Sequence, residues 1–470
     1  MKRTDLDTAK AGSWDVILVG SSFAACFFAH ALRGRDLRVL FVERGPYIAR
    51  DQQLDTRFEE PPTPVRQENS SGQRKDWIVR HQVGGCSNCW WGNTPRLHPN
   101  DFRMRSAYGI ARDWPISYDD LEPYMVRAEA LMEVAGTGGE AYMPRSAPYP
   151  YPAHRATRAE RRMMEADPSW VAMPPARANG GRRGACCGSG ACGLCPIDAK
   201  YTILNGMDAF TDAGFFLLTE AECRTVTTSA GAATGIVLRA ADGSAHELSA
   251  DFIGLGANPI SNSAILLRSG LGGDLVGQGL HEQRGQFIWL DIPFDNYYGG
   301  TSITGMGMAF YDGAFRREAA SLVIESWNSP PSLRLERGKW LQRLKLKLVA
   351  EDLPLPENRV VLRDDEATVV WTGHSDYALR GLARGRELLP SILPFEHEVE
   401  RFGDYEPTEA HIIGGTPMDV SPEHGVVDAQ LRVFGTSGLA CLGASTFTTG
   451  AAANPPLTLS ALSLYAGETL

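Results

Sequence analysis

Near the N-terminus, two short apolar runs flank a segment whose apolar residues recur at helical spacing. The runs are Asp15–Val19 and Arg38–Val42, and Phe23–Leu32 lies between them. A short continuous apolar run is typical of a buried strand, whereas apolar positions three and four residues apart indicate a helix. The pattern predicts a strand–helix–strand unit with parallel strands, the building block of an α/β fold.

A different pattern occupies the middle of the chain, from Gly214 to Ala257. Short stretches of alternating apolar and polar residues are separated there by turns that contain glycine. Alternation with a period of two indicates half-buried strands, and several in succession predict an antiparallel meander.

Composition and charge narrow the class of protein. The chain has 470 residues and a formal net charge of −10, and its basic residues form only short clusters, so nucleic-acid binding is not expected. No window reaches the ~18 apolar residues of a membrane-spanning helix. The N-terminus lacks an apolar segment of signal-peptide length, so we expect a cytoplasmic protein, or a periplasmic one if a partner carries it across the membrane.

The turn of the first unit carries a degenerate dinucleotide-binding fingerprint. Gly20, Ser22 and Ala25 occupy its three glycine positions, and Glu43 follows the second strand 23 residues after Gly20. Such a turn directs backbone N–H groups and a helix N-terminus at a pyrophosphate, while the acidic residue binds ribose hydroxyls. A strand–helix–strand unit without a ligand is the alternative.

A second glycine-rich stretch, Val83–Phe102, follows. It contains Gly84 and Gly85 and, a few residues later, Trp90 and Trp91. Paired glycines allow the backbone to approach a planar cofactor closely, and the indole rings offer apolar walls.

Several ordered segments resemble the glucose–methanol–choline (GMC) oxidoreductases. Val83–Phe102 resembles their second flavin motif, and His411–Leu470 resembles their C-terminal signature, with His411, Asn454 and Pro455 at matching positions. Gly415 and Asp419 depart from the signature. The segment GLHEQ, which ends at residue 283, also departs from the family's pattern, because its histidine does not stand at the family's position. Further resemblances lie at Asp113–Met125, Leu255–Gln283 and Pro354–Leu362.

The resemblance implies an α/β fold with a Rossmann-like FAD-binding domain and a substrate domain built on an antiparallel sheet. The FAD-binding domain is expected to be discontinuous, comprising residues 1–110, 187–285 and 405–470. Residues 111–186 and 286–404 would form the substrate domain, with a cysteine cluster at the border between the two.

In this family an alcohol carbon gives a hydride to flavin N5, which requires a base for the hydroxyl proton and a donor for the developing alkoxide. By motif position His411 would be the base and Asn454 the donor. A loop histidine without a catalytic role is the alternative for His411. The residues expected to contact FAD are Gly20, Ser22, Phe23, Ala25, Glu43, Arg44, Gly84, Gly85, Ser87, Asn88, Cys89, Ala444, Asn454, Pro455 and Thr458.

Cys89 stands where relatives of the pyranose-oxidase branch have a histidine that is joined covalently to the flavin. A thiolate is chemically able to form such a bond. A small buried thiol that only packs beside the flavin is the alternative.

Four of the nine cysteines fall within ten positions of a glycine-rich loop. They are Cys186, Cys187, Cys192 and Cys195. Thiolates so close in sequence are typical ligands of zinc and of iron–sulfur clusters. The segment resembles the one that holds a [3Fe–4S] cluster in FAD-dependent glucose, fructose and sorbitol dehydrogenases. A disulfide or regulatory pair, another metal, or no ligand at all are the alternatives.

A cluster favours a dehydrogenase of an alcohol, sugar or polyol over an oxidase, because an enzyme that reduces dioxygen needs no electron relay. Relatives of this kind often work with a small chaperone-like subunit and a cytochrome c. An oxidase of the same fold and a non-catalytic, flavin-binding electron-transfer subunit are the competing hypotheses.

Overall fold

The computed structural model describes residues 1–54, 64–190, 192–296, 299–328 and 333–470. The helices are α1 (Leu6–Ala11), α2 (Phe23–Leu32), α3 (Arg50–Leu54), α4 (Met104–Tyr108), α5 (Tyr118–Met132), α6 (Arg158–Ala166), α7 (Pro259–Ser269), α8 (Asp376–Leu388) and α9 (Pro456–Glu468). The strands are β1 (Lys2–Arg3), β2 (Trp14–Val19), β3 (Val39–Val42), β4 (Arg66–Asn69), β5 (Ala135–Gly136), β6 (Tyr151–Pro152), β7 (Trp170–Ala172), β8 (Phe215–Leu218), β9 (Ala221–Ser229), β10 (Ala232–Ala240), β11 (Ala245–Leu255), β12 (Arg284–Asp291), β13 (Ile303–Gly307), β14 (Leu322–Trp327), β15 (Arg343–Ala350), β16 (Arg359–Arg363), β17 (Glu366–Trp371), β18 (Glu398–Tyr405) and β19 (Leu439–Cys441).

An eight-stranded sheet forms the first layer, and its central strands are parallel. Its order is β1-β8-β3-β2-β11-β10-β9, with β19 beside β11. Strands β2 and β3 are almost entirely buried, as expected for parallel strands covered on both faces. Helix α2 connects them and packs against α9. The predicted strand–helix–strand unit and the Rossmann-like α/β fold are confirmed.

The predicted meander is formed by β9, β10 and β11, which pair antiparallel. One part of the prediction is wrong: Phe215–Leu218, at the start of the stretch, pairs parallel with β3 and belongs to the central sheet. Strand β11 is long enough to serve both, because residues 245–249 pair with β10 and residues 250–255 pair with β2.

A six-stranded antiparallel sheet, ordered β18-β12-β15-β14-β13-β7, forms the second layer and confirms the expected architecture of the substrate domain. Successive residues of a strand point to opposite faces. One face carries leucines and isoleucines that pack in a core with residues of α8, such as Tyr377 and Leu382. The other face carries aromatic and charged residues and is turned toward the first layer.

Strands β16, β17 and β4 form a third, smaller sheet. Among the described residues, no helix combines the length and the hydropathy needed to cross a membrane. The division of the chain into two domains at the residues given above stays a prediction.

Candidate active site

The turn after β2 has the geometry of a phosphate-binding turn. Gly20 has φ +92°, and a Cβ at this position would lie 2.7 Å from the carbonyl oxygen of Gly256. Only glycine therefore fits between the ends of β2 and β11. Helix α2 begins directly after the turn at Phe23, with Ser22 as its N-cap residue. Ala25 stands at the third glycine position of the fingerprint and is fully buried. Its backbone closely approaches Gly256, so the helix still packs tightly against the strand with alanine in place of glycine.

Ser22 occupies a position where the fingerprint has glycine, and the structure gives the reason it is accommodated. Its hydroxyl donates a hydrogen bond to the carbonyl oxygen of Gly84 at 2.9 Å, so it points to the second glycine-rich motif. A Cβ on Gly85 would lie 3.1 Å from the Ser22 Cβ. Because Gly85 has no side chain, the second motif leaves space for the side chain of Ser22.

Glu43 lies at the end of β3, as expected of the acidic residue that binds ribose. Its carboxylate accepts hydrogen bonds from the Ser21 hydroxyl at 2.6 Å and the Gly45 N–H at 2.9 Å. Burial raises its pKa to about 7. Arg44 is about half exposed and forms an ion pair with Glu222 at 3.3 Å.

These residues line one elongated cleft. Gly20, Ser22, Glu43, Arg44 and Gly85 border its first part. The second part shares the walls formed by Ser22, Arg80, Gly85, Ala257 and Asn258 and continues to Gly443, Ala444 and Leu459. These walls would hold an extended dinucleotide, and Glu43 would be the residue available to its ribose hydroxyls. At three glycines that line the cleft, Gly20, Gly85 and Gly443, an added Cβ would lie 2.7–3.1 Å from a neighbouring protein atom.

Five of the predicted cofactor residues support the turns around the cleft. Ser87 is buried, and its hydroxyl accepts from the Ile203 N–H, while Asn88 donates to the Val83 carbonyl. Gly84 donates its N–H to the Ser21 hydroxyl. Pro455 and Thr458 lie at the N-terminal end of α9. Within the described part of the chain, the buried Thr458 hydroxyl has no hydrogen-bond partner, as expected of a group that a cofactor would satisfy.

His411 and the loop before α9 are joined through one side chain, Gln283. The amide nitrogen of Gln283 donates to the carbonyl oxygens of Ala451 at 2.6 Å and Ala453 at 2.9 Å. Its oxygen faces Nδ1 of His411 at 2.6 Å. Because the amide nitrogen lies between two acceptors, the amide orientation is fixed and Nδ1 carries the proton. A neutral imidazole then has its lone pair on Nε2, as a general base requires.

Two further features fix the charge state and the position of His411. Burial, followed by the positive charge of Lys347, lowers the pKa of His411 to about 3, so the imidazole is neutral at physiological pH. The Glu282 carboxylate accepts a hydrogen bond from the His411 backbone N–H at 2.7 Å. Glu282 is itself neutralised by a buried ion pair with Lys75.

Asn454 is buried and contacts the six-stranded sheet through Glu325. The Glu325 carboxylate accepts hydrogen bonds from the side chains of Asn454 and Asn93, and from the indole N–H of Trp327 at 2.9 Å. Burial raises the pKa of Glu325. The amide of Asn454 is therefore oriented by a carboxyl group of β14.

The face of the sheet at this point is aromatic and charged. Cross-strand pairing brings Phe287, Lys347 and Glu325 side by side, and Lys347 forms an ion pair with Glu409 at 2.6 Å. Two residues further along these strands, Lys345 lies between Trp289 and Trp327. These six residues, Phe287, Trp289, Glu325, Trp327, Lys345 and Lys347, are called the sheet wall below.

Lys345 differs from its neighbour on β15. Its ammonium lies 3.9 Å from the centroid of the Phe287 ring, and no carboxylate of the described residues lies within ion-pair distance. Burial lowers its pKa to about 8. Trp91, from the second glycine-rich stretch, reaches the sheet wall and packs on Trp327 with ring centroids 4.9 Å apart.

The metal site predicted at the cysteine loop stays a prediction, because the four thiols do not meet at one point in the described part of the loop. Cys192 and Cys195 are buried, whereas Cys186 is half-buried and Cys187 is exposed to solvent. Across the described residues, no three cysteine, histidine or acidic side chains converge as ligands of one metal. The thiols lie apart because the loop turns Cys187 outward. Backbone N–H groups of Ile197, Ala199 and Lys200 face the Cys195 sulfur.

The loop is nevertheless tied to the second glycine-rich stretch. Lys200 is fully buried, and its ammonium donates to the carbonyl oxygens of Asn88 at 3.0 Å, Trp90 at 2.7 Å and Gly193 at 2.5 Å. The cysteine loop and the Cys89 segment are thus held against each other.

Sequence reasoning missed Gln283, Glu325 and Lys347. Gln283 belongs to the GLHEQ segment, where the family's histidine is absent, and that departure was the available signal. Glu325 and Lys347 lie on ordinary alternating strands. Nothing in their local pattern sets them apart, because their position depends on the pairing of β14 with β15.

Comparisons with known proteins show what the chain is similar to. The family model described as GMC oxidoreductase matches residues 380–463. The chain is 28% identical to the fructose dehydrogenase large subunit of Gluconobacter japonicus, over 97% of this chain and 98% of that protein. It is 24% identical to the 2-methyl-1,2-propanediol dehydrogenase of Mycolicibacterium austroafricanum, over 98% and 96% of the two chains.

Solved structures share the fold. Pyridoxine 4-oxidase from Mesorbium loti superposes with a TM-score of 0.66 at 17% identity, covering 97% of this chain and 99% of that one. Formate oxidase superposes with the same TM-score at 13% identity, covering 100% and 98%. Together with the dinucleotide cleft, these likenesses show an oxidoreductase that carries a GMC oxidoreductase C-terminal domain over residues 380–463 and shares the fold of the GMC flavoenzymes, which act on CH–OH groups.

Proposed function

We propose that the protein is an FAD-dependent dehydrogenase that oxidises an alcohol group of a sugar or polyol and passes the electrons to an external acceptor. The observation that carries the proposal is the Gln283 bridge, which fixes a neutral His411 beside the loop that bears Asn454. FAD bound in the cleft supplies the hydride acceptor.

The chain's own residues handle the proton and the substrate oxygen. Nε2 of His411 accepts the proton of the substrate hydroxyl, since Nδ1 is held as a donor to Gln283. The amide of Asn454 donates a hydrogen bond to the same oxygen as its negative charge develops. Glu325 orients that amide from the sheet side.

The sheet wall supports a polyhydroxylated substrate. The rings of Phe287 and Trp327, with Trp91 nearby, suit the C–H faces of a sugar or polyol, and Lys345 and Glu325 offer a donor and an acceptor for hydroxyl groups. Two relatives are named for hydroxylated substrates, fructose and 2-methyl-1,2-propanediol.

For electron transfer, we propose that the cysteine loop binds an iron–sulfur cluster, which supplies one-electron transfer to a partner. The donor set fits this use, because four thiols lie within ten residues and backbone N–H groups face the sulfur of Cys195. Binding requires the loop to gather thiols that are apart in the structure. The relative named as a large subunit supports a multi-subunit assembly, with a small chaperone-like subunit and a cytochrome c as proposed partners. Such a partner would also provide export to the periplasm; without one, we propose a cytoplasmic enzyme.

Anaerobic purification followed by iron and acid-labile sulfide analysis tests the electron path. The proposal predicts FAD with about three irons per chain, and loss of the iron in a Cys192→Ser/Cys195→Ser variant that keeps FAD. FAD without iron or sulfide, in protein whose thiols are intact, would contradict it.

An oxidase is the second candidate, because two structural neighbours are named as oxidases. Turnover with substrate in air distinguishes the two. Stoichiometric hydrogen peroxide would indicate the oxidase, whereas turnover that requires an added dye or cytochrome would indicate the dehydrogenase.

A further inference from the structure

Cys86 and Cys89 form a C-x-x-C pair that the proposed reaction does not use. Cys86 lies within a short 3₁₀ turn, Gly85–Asn88, and Cys89 directly follows that turn. The Cys89 N–H donates to the Cys86 carbonyl at 3.1 Å. Side chains three residues apart eclipse each other in a 3₁₀ helix, whose rise of ~2 Å per residue separates their Cα atoms by about 6 Å. That separation lies within the range of about 4.4–6.8 Å that a disulfide spans.

The side chains meet as the turn geometry requires. The two thiols are hydrogen-bonded to each other. Cys89 Sγ also lies 3.6 Å from the carbonyl oxygen of Cys86, and Cys86 Sγ lies 3.7 Å from that of Ile78. Both side chains are only partly buried, and Cys86 lines the cofactor cleft.

The electrostatics divide the pair into an attacking and a resolving thiol. The hydrogen bond from Cys86, followed by the charges of Arg80 and Lys200, lowers the pKa of Cys89 to about 6 against the opposing effect of burial. The same hydrogen bond and burial raise the pKa of Cys86. By contrast, burial raises the pKa of Cys223 to about 12, which makes that thiol inert.

We propose that Cys86 and Cys89 are a redox-active dithiol, which a small-molecule disulfide such as oxidised glutathione converts into an intramolecular disulfide. The Cys89 thiolate attacks one sulfur of the small disulfide, forms a mixed disulfide and releases one thiolate. The Cys86 sulfur then attacks Cys89 Sγ and releases the second. The two cysteines lose two protons and two electrons, and the small disulfide becomes two thiols.

The pair lies where its oxidation reaches the cofactor site. Gly84 and Gly85, which contact Ser22 in the phosphate turn, directly precede Cys86. Formation of the disulfide removes the negative charge of Cys89 beside Arg80 and Lys200. The redox state of the dithiol therefore alters one wall of the cleft.

The sequence offers a direct measurement. Trypsin releases His81–Arg96 with Cys86 and Cys89 as its only cysteines, Tyr201–Arg224 with Cys223 alone, and Gly184–Lys200 with the cysteine loop. The folded, full-length protein is equilibrated with glutathione at graded ratios of disulfide to thiol, alkylated and digested. We expect His81–Arg96 to shift reversibly from doubly alkylated to a disulfide that resists alkylation, while Cys223 becomes alkylated only after unfolding. A His81–Arg96 peptide that stays doubly alkylated at every ratio would overturn the proposal.

Single substitutions test the division of roles and stay informative if the disulfide is hard to isolate. The Cys86→Ser variant should accumulate glutathione on Cys89, on the order of tenfold faster at pH 7 than Cys89→Ser accumulates it on Cys86. Equal rates would overturn the assignment of roles. Recovery of His81–Arg96 with flavin bonded to Cys89 would also overturn the proposal, since that bond consumes the attacking sulfur.

Discussion

Replacing Gln283 by leucine removes the side chain that joins His411 to the loop before α9 and keeps about the same volume. Three hydrogen bonds are lost, and the Nδ1–H of His411 and the carbonyls of Ala451 and Ala453 stay behind without their partner. A buried hydrogen bond contributes about 1 kcal/mol, and more when the remaining group is unsatisfied. We therefore expect a loss of about 3 kcal/mol in the free energy of unfolding.

The catalytic loss should exceed what stability alone explains. Without the Gln283 oxygen, neither the tautomer nor the ring orientation of His411 is fixed, and a misplacement of about 1 Å can slow a reaction ~100-fold. The rate of flavin reduction by substrate, measured anaerobically by stopped flow on FAD-loaded protein, should fall about 100-fold.

The matched control is Gln286→Leu, which removes one hydrogen bond, to the Gly403 carbonyl at 2.7 Å, from the same strand region. It should cost about 1 kcal/mol of stability and leave the rate of flavin reduction nearly unchanged. A Gln283→Leu protein that reduces its flavin within twofold of the wild-type rate would refute the role given to the bridge.

Three further variants test the rest of the site. Gly85→Ala places a Cβ 3.1 Å from that of Ser22 at a residue with φ +51°, so it should weaken FAD binding about tenfold. Adding Ser22→Gly should recover part of the loss, and purely additive effects in a titration of the apoprotein with FAD would contradict the contact. Lys347→Met removes the charge that, after burial, keeps the pKa of His411 low, so the acid limb of the pH profile for flavin reduction should move up toward neutral pH; an unmoved limb would contradict this. Lys200→Met leaves three buried carbonyls without their donor and should lower the free energy of unfolding by about 3 kcal/mol. An unchanged midpoint in urea unfolding would contradict this prediction.

The sequence was informative wherever the chemistry is local in the chain. The strands around Phe23–Leu32 and the acidic Glu43 follow from a periodicity and a spacing that fall within 30 residues. The position of Gly20 in the turn after the first strand follows likewise from its place at the end of an apolar run. The placement of His411 came from the C-terminal signature, which the family match over residues 380–463 supports.

The parts that could not be predicted depend on contacts between distant segments. Gln283 lies 128 residues from His411 and 168 residues from Ala451, so only the folded chain reveals the bridge. Glu325 and Lys347 meet because β14 and β15 pair in one register, which neither strand specifies alone. The cysteine loop shows the converse limit: four thiols close in sequence do not converge in space unless the backbone turns them toward one point.

Anaerobic reduction of the bound flavin by an alcohol tests the central claim most directly. Wild-type protein and His411→Ala, both loaded with FAD, are mixed with a panel of sugars and polyols, and bleaching of the flavin absorbance is followed. We predict that at least one substrate bleaches the wild-type flavin rapidly and that His411→Ala retains FAD but is reduced at least 100-fold more slowly, on the order of the loss expected for a general base. Equal rates of bleaching in the two proteins would contradict the assignment of His411 as the base in a GMC-type oxidation.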